Sequence, residues 1–411
     1  MKTPWSVAGP IASEIYDELR LRTIFECSKW DAQYEDVATL APYAIVLERA
    51  AWEELSKLAE ALAQETLAAE RELLEREPLQ RRLGLGRAIE RQLAPWQRTP
   101  PACEMARVLR FDFHSTVDGW RISEVNSDVP GGFIESSGFS ELVRACFPEL
   151  DTAGNVRRAY VTAVQAALPR KANVGLLHAT AYTDDRQVMI YLAKELADRG
   201  FNPFLVSPAD LAWRNGRASI VGTGEELDGI LRFFPAEWLP NLPRRASWGH
   251  FFRGAQTLLS NPATALLTQS KRFPLVWDQL ETPLPAWREL LPATRDACDI
   301  PWRDRHQWVL KPSLGRVGEL VGIRGVNTEK EWRAVEKRIR WERRYWIAQE
   351  RFEATSIDVG GVPVYPSLGV FVIGGRAAGI YGRVASRPLI DARASDVAVL
   401  VRRVDDGRKA A

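Results

Sequence analysis

Cysteine and histidine are scarce in this 411-residue chain, with four of each. Cys27, Cys103, Cys146 and Cys298 lie far apart and none forms a CxxC pair, so neither a disulfide framework nor a zinc site is expected. His114, His178, His250 and His306 form no HExxH-type pair and read as ordinary surface or half-buried imidazoles. No apolar run approaches the roughly 18 residues of a membrane span, and the N-terminal MKTPWSVAGPIASEIYDELR lacks the apolar centre of a secretory signal. One-sided charge is also missing: 55 basic against 53 acidic residues leave +2, which offers no general field for nucleic acid. The expected place is the cytoplasm, with neither membrane nor nucleic acid as partner. Dinucleotide (GxGxxG) and Walker A (GxxxxGK[ST]) fingerprints are absent, and no Ser-His-Asp or Cys-His arrangement suggests a protein nucleophile.

What is present is the profile of a soluble globular protein, 46% hydrophobic and 26% charged. The length exceeds one ordinary core, so two or three domains are expected. Residues 1–100 read as a mostly helical region, with Ala, Leu, Glu and Arg dominant from Ala44 through Arg91 and leucines near helical spacing. A proline-rich break, Pro95 to Pro101, separates it from residues 101–260, which hold a hairpin and a βαβ region; residues 261–411 form the third part. The 15 tryptophans are scattered and suit packing better than a stacking platform.

The most informative stretch is RFDFHSTVDGWRISEVN, from Arg110 to Asn126. Arg110 and Asp112 alternate with phenylalanines, and Glu124 and Asn126 flank a valine; residues two apart on a strand share a face. Asp118-Gly119 signals the turn of a β-hairpin. A two-residue turn there would send the two polar pairs to opposite faces, whereas a bulge or a loop one residue different brings all four together. The second arrangement is expected. Asp112, Glu124 and Asn126 would then offer hard oxygen ligands suited to Mg²⁺ shared with phosphates, and Arg110 a fixed cation for a transferring phosphoryl group.

Ser127 follows directly and opens the loop SDVPGGFIESS, either a plain connector or a carrier of specificity. In the βαβ region Val174 to Leu177, Phe204 to Val206, Ala218 to Val221 and Gly229 to Phe233 read as strands of a parallel sheet, with a helix from Arg186 to Arg199. Asp184 and Asp185 sit at the strand-to-helix turn, where open α/β sheets bind ligands and where carboxylates also serve as caps. Lys271 lies in LLTQSKRFPLVWDQL, and Lys311 ends a strand before the loop PSLGRVGE. A strand-end lysine followed by small residues lets backbone N–H groups and an ammonium meet an anion. Tyr345 to Glu350, Tyr365 to Ile373, Ala377 to Val384 and Ser395 to Val401 complete the strands, with Arg383 near the end of the third.

Taken in order, RFDF, EVN twelve residues after the Asp (124 − 112), SKRFP, LKPSLGRVG, AQE, and GIYGR followed by ASDVAVLV resemble the glutathionylspermidine synthetase family. The segment WDAQYEDVATLAP near Trp30 looks like that family's opening segment. The resemblance implies an α/β (α+β) ATP-grasp fold of permuted order with a pre-ATP-grasp βαβ domain. It implies ATP and Mg²⁺ as cofactors, with Asp112, Glu124 and Asn126 on the metal. Lys271 and Lys311 would meet the nucleotide phosphates, the loop from Ser313 through Gly315 and Arg316 to Gly318 would cover the triphosphate, and Gln349, beside Glu350, would lie at the adenine end. Arg110 and Arg383 would neutralise an acyl phosphate. The expected activity is ATP-dependent joining of a peptide or amino-acid carboxylate to an amine, with Asp184, Asp185 and Ser127 as substrate candidates. No amidase-like stretch precedes this region, so the bifunctional form is not expected. Two other readings stay open: a kinase releasing a phosphorylated product, and a nucleotide-binding regulator without turnover.

Overall fold

Along the strand Val108–Thr116 burial alternates residue by residue, and that alternation organises the molecule. Leu109, Phe111 and Phe113 are fully buried on one face, while Arg110, Asp112 and His114 occupy the other. The computed structural model describes residues 4–30, 38–94, 105–300, 306–315 and 320–403, with 33–34 and 37 as backbone only. Val108–Thr116 lies in a nine-stranded sheet of order Trp5–Ala8, Leu40–Leu47, Ser395–Arg402, Arg376–Ala385, Val362–Ile373, Val108–Thr116 and Gly119–Asn126, with Ile357–Val359 and Leu150–Thr152 paired off this path. Its pairings are antiparallel except where Ser395–Arg402 meets Leu40–Leu47.

The phenylalanine face is apolar throughout. Against it packs the helix Arg49–Glu75, an Ala/Leu/Glu-rich segment of high helix propensity. Its buried positions Ala51, Leu55, Ala59, Leu62, Thr66, Ala69 and Leu73 recur every three or four residues, one stripe of a helix. Each fully buried leucine contributes ~1.5–3 kcal/mol of transfer free energy. The opposite face is apolar only in part: Phe371, Ala378, Ala398 and Leu400 join a second core with the helix Val156–Ala167, and the rest is polar.

Two smaller sheets flank the large one. Leu258–Ser260, Gly229–Arg232, Asn173–Leu177 and Asn202–Val206 form a parallel four-stranded sheet in that order, and the helix Thr183–Asp198 follows its third strand. Thr294–Asp296, Trp346–Glu350, Trp308–Pro312 and Gly322–Ile323 form an antiparallel sheet. One of its faces packs through Trp308, Leu310, Trp346 and Ala348 on Trp332, Val335 and Ile339 of the helix Glu329–Glu342.

The structure departs from the sequence-based expectation at two places. Within 1–100, Trp5–Ala8 and Leu40–Leu47 are strands of the central sheet. LAPYAIVL is apolar on both faces because the sheet is covered on both, so helical composition nearby masks it. The large sheet thus draws strands from all three expected regions. The stretch predicted as a strand at Ala218 to Val221 does not enter the parallel sheet; Arg217–Ile220 pairs antiparallel with Leu211–Arg214 and Glu226–Leu227, and Leu258–Ser260 takes the fourth parallel position.

A buried ion pair joins the hairpin's exit to the parallel sheet. Arg232 and Asp128 are both buried and paired; Arg232 also donates to the carbonyls of Asn261 (2.8 Å) and Phe234 (2.7 Å), and Asp128 accepts from the Ala236 amide at 2.9 Å. Removing one partner strands the other charge in a dry interior. Asp128→Ala is therefore expected to lower the unfolding free energy by about 3–5 kcal/mol in urea titration; a variant as stable as the parent would show the pair to be dispensable.

Candidate active site

The hairpin register places its polar groups. Its turn is Val117-Asp118, with Thr116 opposite Gly119, one residue earlier than an Asp118-Gly119 turn. Further along, Phe113 pairs with Ile122 but Phe111 pairs with Val125, so Asp112 faces two residues, Ser123 and Glu124. This is a β-bulge. Before it Trp120 and Ile122 point into the core, and after it Val125 does, which turns Glu124 and Asn126 to the side of Arg110 and Asp112. Asn126 Nδ2 donates to Asp112 Oδ2 at 3.1 Å.

Arg110 grips Asp112 with two parallel bonds, Nε to Oδ1 at 2.7 Å and Nη2 to Oδ2 at 2.9 Å, and gives Nη1 to the Gly131 carbonyl at 2.7 Å. Burial works against its charge, but the Asp112 carboxylate outweighs burial and holds the guanidinium more firmly charged than usual.

Both lysines reach this hairpin. The amides of Ser127 and Asp128 donate to Gln269 Oε1 at 2.8 and 3.0 Å, which fixes the segment Leu266–Gln269 at the hairpin's end. Two residues on, Lys271 Nζ lies 3.0 Å from Glu124 Oε2 and 3.3 Å from the Gly315 carbonyl. Lys311 projects from the antiparallel sheet on the face opposite its helix. It donates to the Ser123 carbonyl at 2.9 Å and to Gln349 Oε1 at 2.7 Å. Burial alone would raise the Glu124 carboxyl, but Lys271 and Lys311 overrule it and hold it at about 2. Burial brings Lys311 down to about 8 despite the opposing pull of Glu124. Burial also lowers His114 to about 4, so the imidazole is neutral at pH 7; its Nε2 lies 3.1 Å from Ser123 Oγ.

Arg110, Asp112, Glu124, Asn126, Lys271, Lys311 and Gln349 therefore gather on the hairpin's polar side, linked by local bonds and by the pull of each other's charges. The main chain of Ser313 and Gly315 joins them, since the Ser313 carbonyl accepts from the Lys271 amide at 2.9 Å. Arg383 lies on the same face of the central sheet, two strands from Asp112 through Gly369 and Tyr381, and donates to the Asp391 carbonyl at 2.7 Å. Arg316 and Gly318 lie outside the described residues. Ser127, Glu350, Asp184 and Asp185 do not join this set. Ser127 is fully buried and donates its hydroxyl to the Ala265 carbonyl at 3.0 Å, so it anchors the segment that leads to Lys271. Glu350 is exposed and, one residue from Gln349, points to the other face of its strand. Asp184 and Asp185 stand in the first turn of the helix Thr183–Asp198 beside the parallel sheet, on an element separate from the hairpin. Sequence reading does not single out Lys29, Glu135, Tyr381 or Asp396, although Lys29 Nζ lies 2.5 Å from Glu135 and 3.2 Å from Asp396, and Tyr381 donates to Asp396 at 2.7 Å. Tyr381 and Asp396 fall within GIYGR and ASDVAVLV and Glu135 within SDVPGGFIESS, but those stretches do not mark the individual residues, and Lys29 carries no signal.

Among the described residues no group of three or more His, Cys, Asp or Glu could hold a metal. Two carboxylates and an amide fit the different case of Mg²⁺, which keeps few protein ligands and completes its shell with waters and phosphates. The ionised state of Glu124 suits such a ligand.

Lys311 from an antiparallel sheet and Lys271 from the turn after Leu266–Gln269 close on the carboxylate hairpin of the central sheet, and with the mixed α/β layering this is an ATP-grasp-type fold. The chain belongs to the glutathionylspermidine synthase preATP-grasp family, whose sequence model matches residues 28–402. That membership supports a carboxylate–amine ligase in general terms. A glutathione synthetase like-effector (GSS30) from Globodera pallida is similar in structure, with a TM-score of 0.64 and 13% identity over 94% of this chain and 97% of the other. A putative gamma-glutamylcysteine synthetase from Methylobacillus flagellatus KT aligns at a TM-score of 0.45 and 14% identity, over 79% and 84%. No curated protein matches the sequence. Among the described residues no helix is long and apolar enough to cross a membrane.

The depressed Glu124 carboxyl has a measurable consequence. A carboxyl whose folded pKa lies below its unfolded value adds stability that is complete above the unfolded value and lost as pH falls through the folded one. The stability gap between the parent and Glu124→Gln, read from urea midpoints, is expected to be full above about pH 4.5 and to close toward about pH 2. A gap independent of pH would show that Glu124 is not held by its lysines.

Proposed function

We propose that this chain is an ATP-dependent carboxylate–amine ligase that activates its acid substrate as an acyl phosphate and releases ADP. One observation carries the reading: Lys271 and Lys311, from the C-terminal part of the chain, both meet the hairpin, Lys271 at 3.0 Å from Glu124 and Lys311 at 2.9 Å from the Ser123 carbonyl. Groups of both signs converge there as a triphosphate needs.

A carboxylate is a poor electrophile, and transfer of a phosphoryl group converts its oxygen into a leaving group. In this reading Lys271 and Lys311 bind and neutralise the phosphate chain, and Gln349 fixes the direction of Lys311. Arg110 is aimed by Asp112, so its charge needs little reorganisation as negative charge moves onto the transferring group. Arg383 adds a second cation on the same sheet face. Mg²⁺, when bound at Asp112, Glu124 and Asn126, supplies charge neutralisation between phosphates. The amine then attacks the acyl carbon and phosphate leaves; no protein nucleophile takes part. By the family's name, the pair to test first is glutathione with spermidine, followed by other peptides, amino acids and amines.

ADP and free phosphate formed only when both an acid and an amine are present support the ligase. A phosphorylated product would instead support a kinase, and binding without hydrolysis a regulator. Asp112→Asn is expected to abolish turnover, a loss of at least ~10²–10³-fold, in a protein that stays folded; near-normal turnover would remove the metal assignment. ATP affinity by calorimetry is expected to fall as pH rises through about 8, where Lys311 loses its proton. Lys311→Arg should flatten that profile, and a flat profile in the parent would place Lys311 away from the phosphates.

A further inference from the structure

The Arg110 side chain is held by more than Asp112. Its guanidinium carbon lies 5.1 Å from the centre of the Tyr381 ring, within the range where a cation is drawn to an aromatic face. The approach is possible because the strand between them carries Gly369, which pairs with Asp112 on one side and Tyr381 on the other. A Cβ at Gly369 would stand 2.7 Å from Arg110 Cδ and 2.9 Å from its Nε.

The ring is also approached by the loop that follows the hairpin. Gly132 has φ +99°, and a Cβ there would fall 2.5–3.0 Å from three ring carbons of Tyr381; the adjacent Gly131 carbonyl accepts from Arg110 Nη1 at 2.7 Å. The Tyr381 hydroxyl donates to Asp396 Oδ1 at 2.7 Å. Lys29, with 2% of its side chain exposed, ties Asp396 at 3.2 Å to Glu135 at 2.5 Å. Glu135 lies in the same loop as Gly131 and Gly132.

We propose that Tyr381 is a positioning residue for Arg110, its ring clamped between the Gly131-Gly132 loop and the Arg110 side chain that crosses Gly369. The inference rests on the ligase reading for its catalytic meaning, not for its geometry. The ring packs against the guanidinium, and the close approach of Gly132 holds the ring; the hydroxyl bond to Asp396 is secondary to that packing. Loss of the ring leaves Arg110 charged and bonded to Asp112 but with one face uncovered and more easily displaced, so the effect falls on the chemical step and not on nucleotide binding.

The test is phenylglyoxal modification of Arg110, followed by peptide mass spectrometry on the full chain, beside thermal midpoints and calorimetric binding of Mg-ATP. Tyr381→Leu is expected to raise the Arg110 modification rate about tenfold, while Tyr381→Phe, which keeps the ring, stays within about twofold of the parent. Gly369→Ala, which pushes on Arg110 directly, should behave like Tyr381→Leu and serves if the latter does not fold. With glutathione and spermidine, or whichever pair turns over, kcat should fall in Tyr381→Leu and recover in Tyr381→Phe with the KM for ATP unchanged. Unchanged Arg110 modification in both Tyr381→Leu and Gly369→Ala overturns the proposal, as does a Tyr381→Phe variant indistinguishable from Tyr381→Leu. If no acid–amine pair turns over in the parent, the ligase reading fails while the modification rates still decide the clamp.

Discussion

A β-strand has two faces, and this molecule depends on one extra residue that changes which face the end of a strand presents. Without the bulge at Ser123-Glu124 the alternation from Trp120 and Ile122 would carry Glu124 into the phenylalanine core and Val125 out of it. A lone carboxylate there would cost several kcal/mol or lose its charge. With the bulge, Glu124 meets Lys271, Val125 joins the core, and Asn126 reaches Asp112. One irregularity in one pairing thus decides both the hydrophobic ledger of the edge strand and the composition of the candidate site.

Charges on the polar face support one another across separate elements. Three cations, Arg110, Lys271 and Lys311, face two carboxylates, Asp112 and Glu124, a surplus of one positive charge (3 − 2 = +1). Burial makes that surplus consequential, since cations with little water around them favour an anionic guest. Lys311 shows the tension: burial lowers it to about 8, and its present acceptors are a carbonyl and an amide oxygen. An anion brought beside it would restore the charge-assisted partner it lacks among those two.

Much of this was legible in the sequence, and the limits have physical causes. RFDF exposes the two-faced strand because its period is two and its apolar residues are large. Lys311 and Gln349 fall on one face of their sheet because each alternates with residues packed on a helix. The bulge also leaves a trace, a parity break between Trp120 and Ile122 on one side and Val125 on the other. Leu40–Leu47 was hidden because a strand covered on both faces has no alternation to read. Lys29 and Glu135 were hidden for another reason: their ion-pair partners lie more than a hundred residues away, and no local pattern encodes an ion pair closed by sheet order.

The loop SDVPGGFIESS illustrates how position changes the meaning of composition. Its glycine, proline and serine content suits a surface loop, yet Ser127, Asp128, Phe133, Ile134, Glu135, Ser136 and Ser137 are all buried. Ser127 binds the segment that delivers Lys271, Asp128 neutralises Arg232, the Gly131 carbonyl receives Arg110, and Glu135 holds Lys29. A loop with so many committed groups cannot also vary freely to follow a substrate, because each change would strand a buried partner. Its small residues answer to close approach, Gly132 against Tyr381 above all. In the ligase reading, selectivity for an acid and an amine then has to arise from side chains that border the Arg110–Glu124 cluster without belonging to its support.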